Sequence, residues 1–132
     1  MLLAAQPDEA VARYLRTVRL ERLTDVTETD PVRLLDIVRT VRADGYSIVV
    51  DQLAYGVSSI AVPIMAGPGR AIAAVNSSGY SGRLSPETLV ETRLAELRRT
   101  AAQISETLLR YPALRHSLER DGGESDPDRV VA

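Results

Sequence analysis

The 132-residue sequence has no cysteine, no tryptophan and no phenylalanine. The missing thiols exclude disulfide scaffolds, thiolate nucleophiles and cysteine zinc sites in one step. Histidine occurs once, as His116, which excludes a histidine-rich metal site within one chain and disfavours most acid-base catalysis. Lysine is absent too, so all 16 basic side chains are arginine, and 18 acidic ones leave a net charge of −2. That balance is far from the basic signature of a self-sufficient nucleic-acid binder. No apolar run approaches the roughly 20 residues that span a bilayer, and Met1-Leu2-Leu3-Ala4-Ala5 is too short and uncharged for a signal peptide. The expectation is a cytoplasmic protein without membrane contact. What is present, 45% hydrophobic and 26% charged residues, suits one soluble domain whose core is Leu, Val, Ile and Ala with a few Tyr.

Proline and acid at Gln6-Pro7-Asp8-Glu9 predict a helix start, and Val11, Tyr14, Leu15 and Val18 carry an apolar stripe to an end near Leu20. Asp30-Pro31 is a cap and first-turn proline for a second helix with the stripe Leu34, Leu35, Val38 and Val41, stopped at Asp44-Gly45. The period then changes. Tyr46 to Val50 reads as a strand, Asp51 to Gly56 as a loop, and Val57 to Ile64 as a strand with Ile60, Val62 and Ile64 on one face and Ser59, Ala61 and Pro63 on the other. Pro63 predicts that this strand is an edge or ends early. Gly67-Pro68-Gly69 turns the chain into a hairpin, and Ala71 to Ser77 returns with Ile72, Ala74, Asn76 and Ser78 sharing a side. Ser78 to Leu84 reads as a loop. Ser85-Pro86-Glu87 opens the strongest helix, with Val90, Leu94, Leu97, Ala101, Ile104 and Leu108 in one stripe before Pro112 breaks it. Residues 1–120 form the expected domain and the polar stretch 121–132 a disordered tail.

Few residues invite chemistry. Gly67-Pro68-Gly69 matches no phosphate-binding fingerprint and sits between strands, which suits a tight turn. Asp25, Glu28 and Asp30 fit no calcium loop, and capping explains Asp30. His116 lies among Arg115, Glu119 and Arg120, a solvated setting. Ser58, Ser59, Asn76, Ser77 and Ser78 stand out, because small polar groups on adjacent strands of an apolar hairpin are what a small-ligand pocket needs. Alternation in an antiparallel sheet also produces such residues as a solvent face.

Val41-Arg42-Ala43-Asp44-Gly45-Tyr46, the loop ending at Gly56, Ser59-Ile60-Ala61-Val62-Pro63-Ile64 and Ala73-Ala74-Val75-Asn76 together resemble the effector-binding domain of IclR-family transcriptional regulators. The segments Leu20 to Thr24 and Arg98 to Leu108 resemble the branch that senses aromatic acids such as protocatechuate and 4-hydroxybenzoate. The resemblance covers Leu2 to Tyr111. It implies an α+β, GAF-like antiparallel sheet flanked by helices, here a partial domain lacking its first strands, since Met1-Leu2-Leu3-Ala4 matches a segment that follows them in the family.

Carried over by position, the resemblance places Val57, Ser59, Asn76 and Ser78 in the ligand pocket, with backbone N–H groups near Gly56 to Ser58 as further donors. The implied function is non-enzymatic, without cofactor: sensing of a small organic acid, with DNA reached only through a winged helix-turn-helix domain, in a homo-oligomer. The rival readings are an oligomerisation module without a ligand, and an enzyme using Ser59 or Ser78 as nucleophile, for which no base is in view.

Overall fold

The computed structural model describes residues 1–111; the His116 and 121–132 expectations lie outside them. After a 3-10 turn at Leu2–Ala5 the elements run α1 (Asp8–Thr17), α2 (Pro31–Asp44), β1 (Ser47–Val50), β2 (Val57–Met65), β3 (Ala71–Tyr80), α3 (Pro86–Leu89), a π turn (Val90–Leu94) and α4 (Ala95–Arg110). The strands form an antiparallel sheet in the order β1-β2-β3.

Local sequence chemistry sets most boundaries. The Asp30 carboxylate accepts the Val32 N–H at 2.8 Å ahead of Pro31, and Gly45 ends α2 at φ +73°, the left-handed cap that glycine enters most easily. Ser85 caps α3 by accepting the Thr88 N–H. Helix α1 stops at Thr17, short of Leu20, because the Thr17 hydroxyl bonds back to the Tyr14 carbonyl at 3.0 Å and Val18 turns extended. The Gly67 to Gly69 segment is a hairpin turn closed by Ala66 N–H on the Arg70 carbonyl at 2.8 Å.

Strand alternation sorts the core. Ile60, Val62 and Ile64 of β2 are buried against Leu89, Leu94, Leu97, Ala101 and Leu108 of the C-terminal helices, with Ile48, Ile72, Ala73 and Val75 packed around them. Ser105 of α4 pins this layer by accepting the Met65 N–H at 3.0 Å. The apolar stripe of α2 is only half-buried, and α1 buries Val11 and Leu15.

Four expectations are corrected. Pro63 lies in the central strand, which continues to Met65. β1 pairs only with Ser58 to Ala61, so the side of β2 toward which a residue-63 N–H would point has no strand to bond, and proline removes nothing. β3 continues through Ser78 to Tyr80 because these residues pair with Val57 to Ser59; cross-strand pairing outweighs the loop-like composition. The register shifts between Ile64 and Met65, whose partners are Ala73 and Ala71. The extra residue, Ile72, turns toward the core and leaves the face of Ala74, Asn76 and Ser78. Finally, the last helix is not uniform: the π turn brings Leu89 and Leu94, five residues apart, onto one buried face, and Val90 is left only partly buried.

Candidate functional site

Opposite residues of an antiparallel pair share a face, so the register divides the polar hairpin residues cleanly. Ser58 and Ser77 stand on the helix-covered face. Ser58 is fully buried and donates to the Leu84 carbonyl at 3.1 Å, a structural role that anchors the approach to α3. Ser59 is paired with Ser78 and Ala61 with Asn76 on the other, open face, where Val49 of β1 stands opposite Ser59. Val57 and its partner Tyr80 end that face, exposed by 38% and 63%. The four residues singled out from the sequence, Val57, Ser59, Asn76 and Ser78, therefore lie on one side of two neighbouring strands. Asn76 Nδ2 donates to Ser78 Oγ at 3.3 Å, which leaves hydroxyl and amide donors toward solvent beside a hydrophobic rim.

The expected backbone donors near Gly56 are committed elsewhere. Asp51, at φ +55°, takes the Gly56 N–H at 2.8 Å and the Ser81 hydroxyl at 2.7 Å on one carboxylate oxygen. The Val57 N–H turns to the Ala54 carbonyl at 3.3 Å. An acid at residue 51 thus folds its own loop, and ligand donors on this face are side chains.

A second connection braces the loop. Thr24 and Thr27 donate to the carbonyls of Asp51 and Gln52 at 2.7 and 2.6 Å, and Tyr55 donates to Asp25 at 2.9 Å. The acidic cluster is absorbed in this bracing. Asp25 holds Tyr55, Asp30 caps α2, and Glu28 accepts the N–H groups of Thr29 and Asp30 at 3.0 and 2.9 Å. The Asp30 N–H, then that of Thr29, holds the Glu28 carboxyl below the usual carboxylate range. Among the described residues no cluster of three His, Cys, Asp or Glu could hold a metal ion.

At the other end of the open face, the 3-10 turn and the end of α2 cover the sheet. A cleft of about 210 Å³ lies there, lined by Met1, Ala4, Val41, Pro63, Met65 and Ala71 among others, and none of the four singled-out residues lines it. Arg42 at its margin is fully engaged. Its guanidinium donates to the Ala4 and Gln6 carbonyls at 2.8 and 2.7 Å and to Asp8 at 2.7 Å, while Arg39 binds the second Asp8 oxygen at 2.7 Å. Arg42, then Arg39, holds the Asp8 carboxyl below its ordinary value. No short-range pattern marks this clamp, whose partners lie more than thirty residues apart.

Known proteins resemble this arrangement. The Pca regulon regulatory protein of Pseudomonas putida is 38% identical over 89 residues, which is 67% of this chain and 31% of that protein. A transcriptional regulator of Rhodococcus sp. RHA1 superposes with a TM-score of 0.77 at 37% identity, over 82% of this chain and 44% of the other. The inducer-binding domain of the Acinetobacter transcription factor PobR, in a double mutant complexed with 3-hydroxybenzoic acid, superposes with a TM-score of 0.74 at 32% identity, over 79% and 59%. The chain thus spans from under a third to about three fifths of these proteins. The family described as bacterial transcriptional regulator IclR C-terminal matches residues 1–106, and with its three-stranded antiparallel sheet and flanking helices this α+β chain belongs to that family.

Proposed function

We propose that the chain is the effector-sensing part of an IclR-type transcriptional regulator. It binds a small organic acid of the benzoate class on the open face of the sheet, against Val57, Ser59, Asn76 and Ser78. The observation that supports this most is the likeness to an inducer-binding domain that holds 3-hydroxybenzoic acid, joined to hydroxyl and amide donors beside apolar Val57 and Tyr80, the mixture a small aromatic acid needs.

Ligand binding then biases DNA contact made by a separate winged helix-turn-helix domain; a net charge of −2 is far from the basic balance of a chain that holds phosphates by itself. The module works in the cytoplasm, as a homo-oligomer, without cofactor and without turnover. Among the described residues no helix is long and apolar enough to cross a membrane. Among the described residues Ser78 Oγ accepts from Asn76 Nδ2 and no hydrogen bond joins it to a carboxylate that could take its proton.

Thermal melting with 3-hydroxybenzoate and 4-hydroxybenzoate tests the reading. At a hundred times its dissociation constant a bound acid stabilises the fold by about 2.7 kcal/mol, a rise of several degrees. An unchanged melting temperature across millimolar panels of small carboxylic acids overturns it and leaves an oligomerisation module without a ligand.

A further inference from the structure

The sheet has a gap on the β1 side of β2, where the chain passes from α2 into β1. The Asp51 N–H reaches the Val57 carbonyl at 2.8 Å, so the β1–β2 register makes Val57, Ser59 and Ala61 the bonded positions of β2 on that side. Pro63 is the next. Extending the register sets it opposite Gly45, two residues before β1 begins, and the Gly45 N–H is already given to the Val41 carbonyl at 3.0 Å as the cap of α2. The Pro63 carbonyl therefore turns sideways with no main-chain donor to meet it, and proline brings no N–H of its own. The Met65 N–H, the following group on that side, goes to Ser105 of α4.

A cleft of about 230 Å³ occupies this gap, between β2, the end of α2 and α4. Val62, Met65, Ala101 and Ala102 give it apolar walls, with Ser105 and Arg98 also in the lining, seven residues or about 10 Å apart along α4. Arg98 is held in place but not used up. One guanidinium nitrogen donates to the Asp44 carbonyl at 3.1 Å, and the guanidinium carbon lies 5.8 Å from the centre of the Tyr46 ring. Among the described residues no carboxylate forms an ion pair with it. A guanidinium carries five N–H donors, so most of this one is open to a ligand. Arg42, beside the other cleft, is spent on Ala4, Gln6 and Asp8.

We propose that this cleft is a second ligand site, for a small monocarboxylic acid that carries a hydroxyl group. The carboxylate lies on Arg98, whose planar fork matches two oxygens. The apolar body lies on Val62, Met65 and Ala101, and the hydroxyl donates to the Pro63 carbonyl. Pockets for drug-sized ligands begin at about 300 Å³, so the volume here limits the acid to one ring or a short chain. Val62 and Ala101 belong to the helix-covered side of the sheet, whereas Ser59 and Asn76 stand on the other. The site is thus separate from the open face, and either can fail without the other.

Titration of the full, nitrogen-15-labelled chain with 3-hydroxybenzoate, 4-hydroxybenzoate and benzoate, followed by amide chemical shifts, tests the proposal. At least one hydroxybenzoate should shift the Met65, Ala101 and Ala102 amides saturably. Arg98→Gln should weaken that response at least about tenfold. Ala102 is exposed, so Ala102→Glu should fold and, by setting a carboxylate in the cleft, abolish it. Ser59→Ala should leave it unchanged, while the Ser59, Asn76 and Ser78 amides report the open face separately. Thermal melting checks that each variant is folded. Benzoate, without a hydroxyl for the Pro63 carbonyl, should bind the cleft more weakly, and equal affinity overturns the assigned ligand class. Silent Met65, Ala101 and Ala102 amides overturn the site, as does a response that survives Arg98→Gln or that follows Ser59→Ala instead.

Discussion

Asn76 and Ser59 differ from Ser58 in what their polar atoms face, and the difference decides how each substitution reads. Ser58 is fully buried and holds the Leu84 carbonyl, so Ser58→Ala strands that acceptor and costs stability, about 1 to 3 kcal/mol. Ser59 and Asn76 stand on the open face. Ser59→Ala and Asn76→Ala should leave the unliganded melting temperature nearly unchanged and weaken binding of an acid found by thermal shift by about 1 to 3 kcal/mol each, read by titration calorimetry. If both unfold the protein, these residues are structural; if neither alters affinity, the acid sits elsewhere. Arg42 is the residue that ties the N-terminal turn to α2 through Ala4, Gln6 and Asp8. Arg42→Ala should expose the segment before α1 to protease and to amide exchange while the β2–β3 ladder keeps its protection. Equal loss of protection in both regions would show that the clamp supports the whole fold.

At the scale of elements, the last helix shows what a residue pattern conveys and where it stops. Ser85-Pro86 predicts the start correctly because capping is local. The stripe from Val90 fits an α-helical period, yet Leu89 is the residue with no exposure, because the π turn at Val90–Leu94 changes the phase of everything before it. Leu89→Ala should therefore cost about 2 to 5 kcal/mol and Val90→Ala distinctly less, measured by denaturant unfolding; the reverse order would mean that the helix is α throughout. The same division runs through the rest of the chain. The alternation of Ile60, Val62 and Ile64 is visible in the sequence because it answers to one buried face. The extension of β3 to Tyr80 is not, since Ser78 and Gly79 are strand only by virtue of Ser59 and Ser58 opposite them. The candidate face was legible as Ser59, Asn76 and Ser78. Its support was not, because the bonds from Thr24 and Thr27 to Asp51 and Gln52 join segments about 25 residues apart, and no short-range pattern records them.

Across the whole molecule, carboxylates are spent on turns and ends rather than on a site, and this makes the response to acid a structural one. The Arg42 guanidinium, then Arg39, depresses Asp8; the Asp30 N–H depresses Glu28; its own N–H and the Ser85 side chain depress Glu87. A carboxyl whose folded value lies below its unfolded one binds its proton first in the unfolded chain. Its contribution is therefore complete above the ordinary carboxylate range, roughly pH 4, and is lost as pH falls through the depressed folded value. Glu87 is exposed and Asp8 and Glu28 are only half-covered, so solvent screens each and each contributes modestly, but they act at separate places: the α1–α2 clamp, the entry to α2 and the start of α3. The melting temperature should thus hold from neutrality to about pH 5 and decline below it. Asp8→Asn, which keeps the side chain's size but not its charge, should melt lower at pH 7 and show a shallower decline, the two proteins converging near pH 3. Parallel curves for the two would instead place the acid sensitivity outside the Arg42–Asp8 clamp, and Glu28→Gln, removing the carboxylate that organises the turn into α2, would be the next profile to compare.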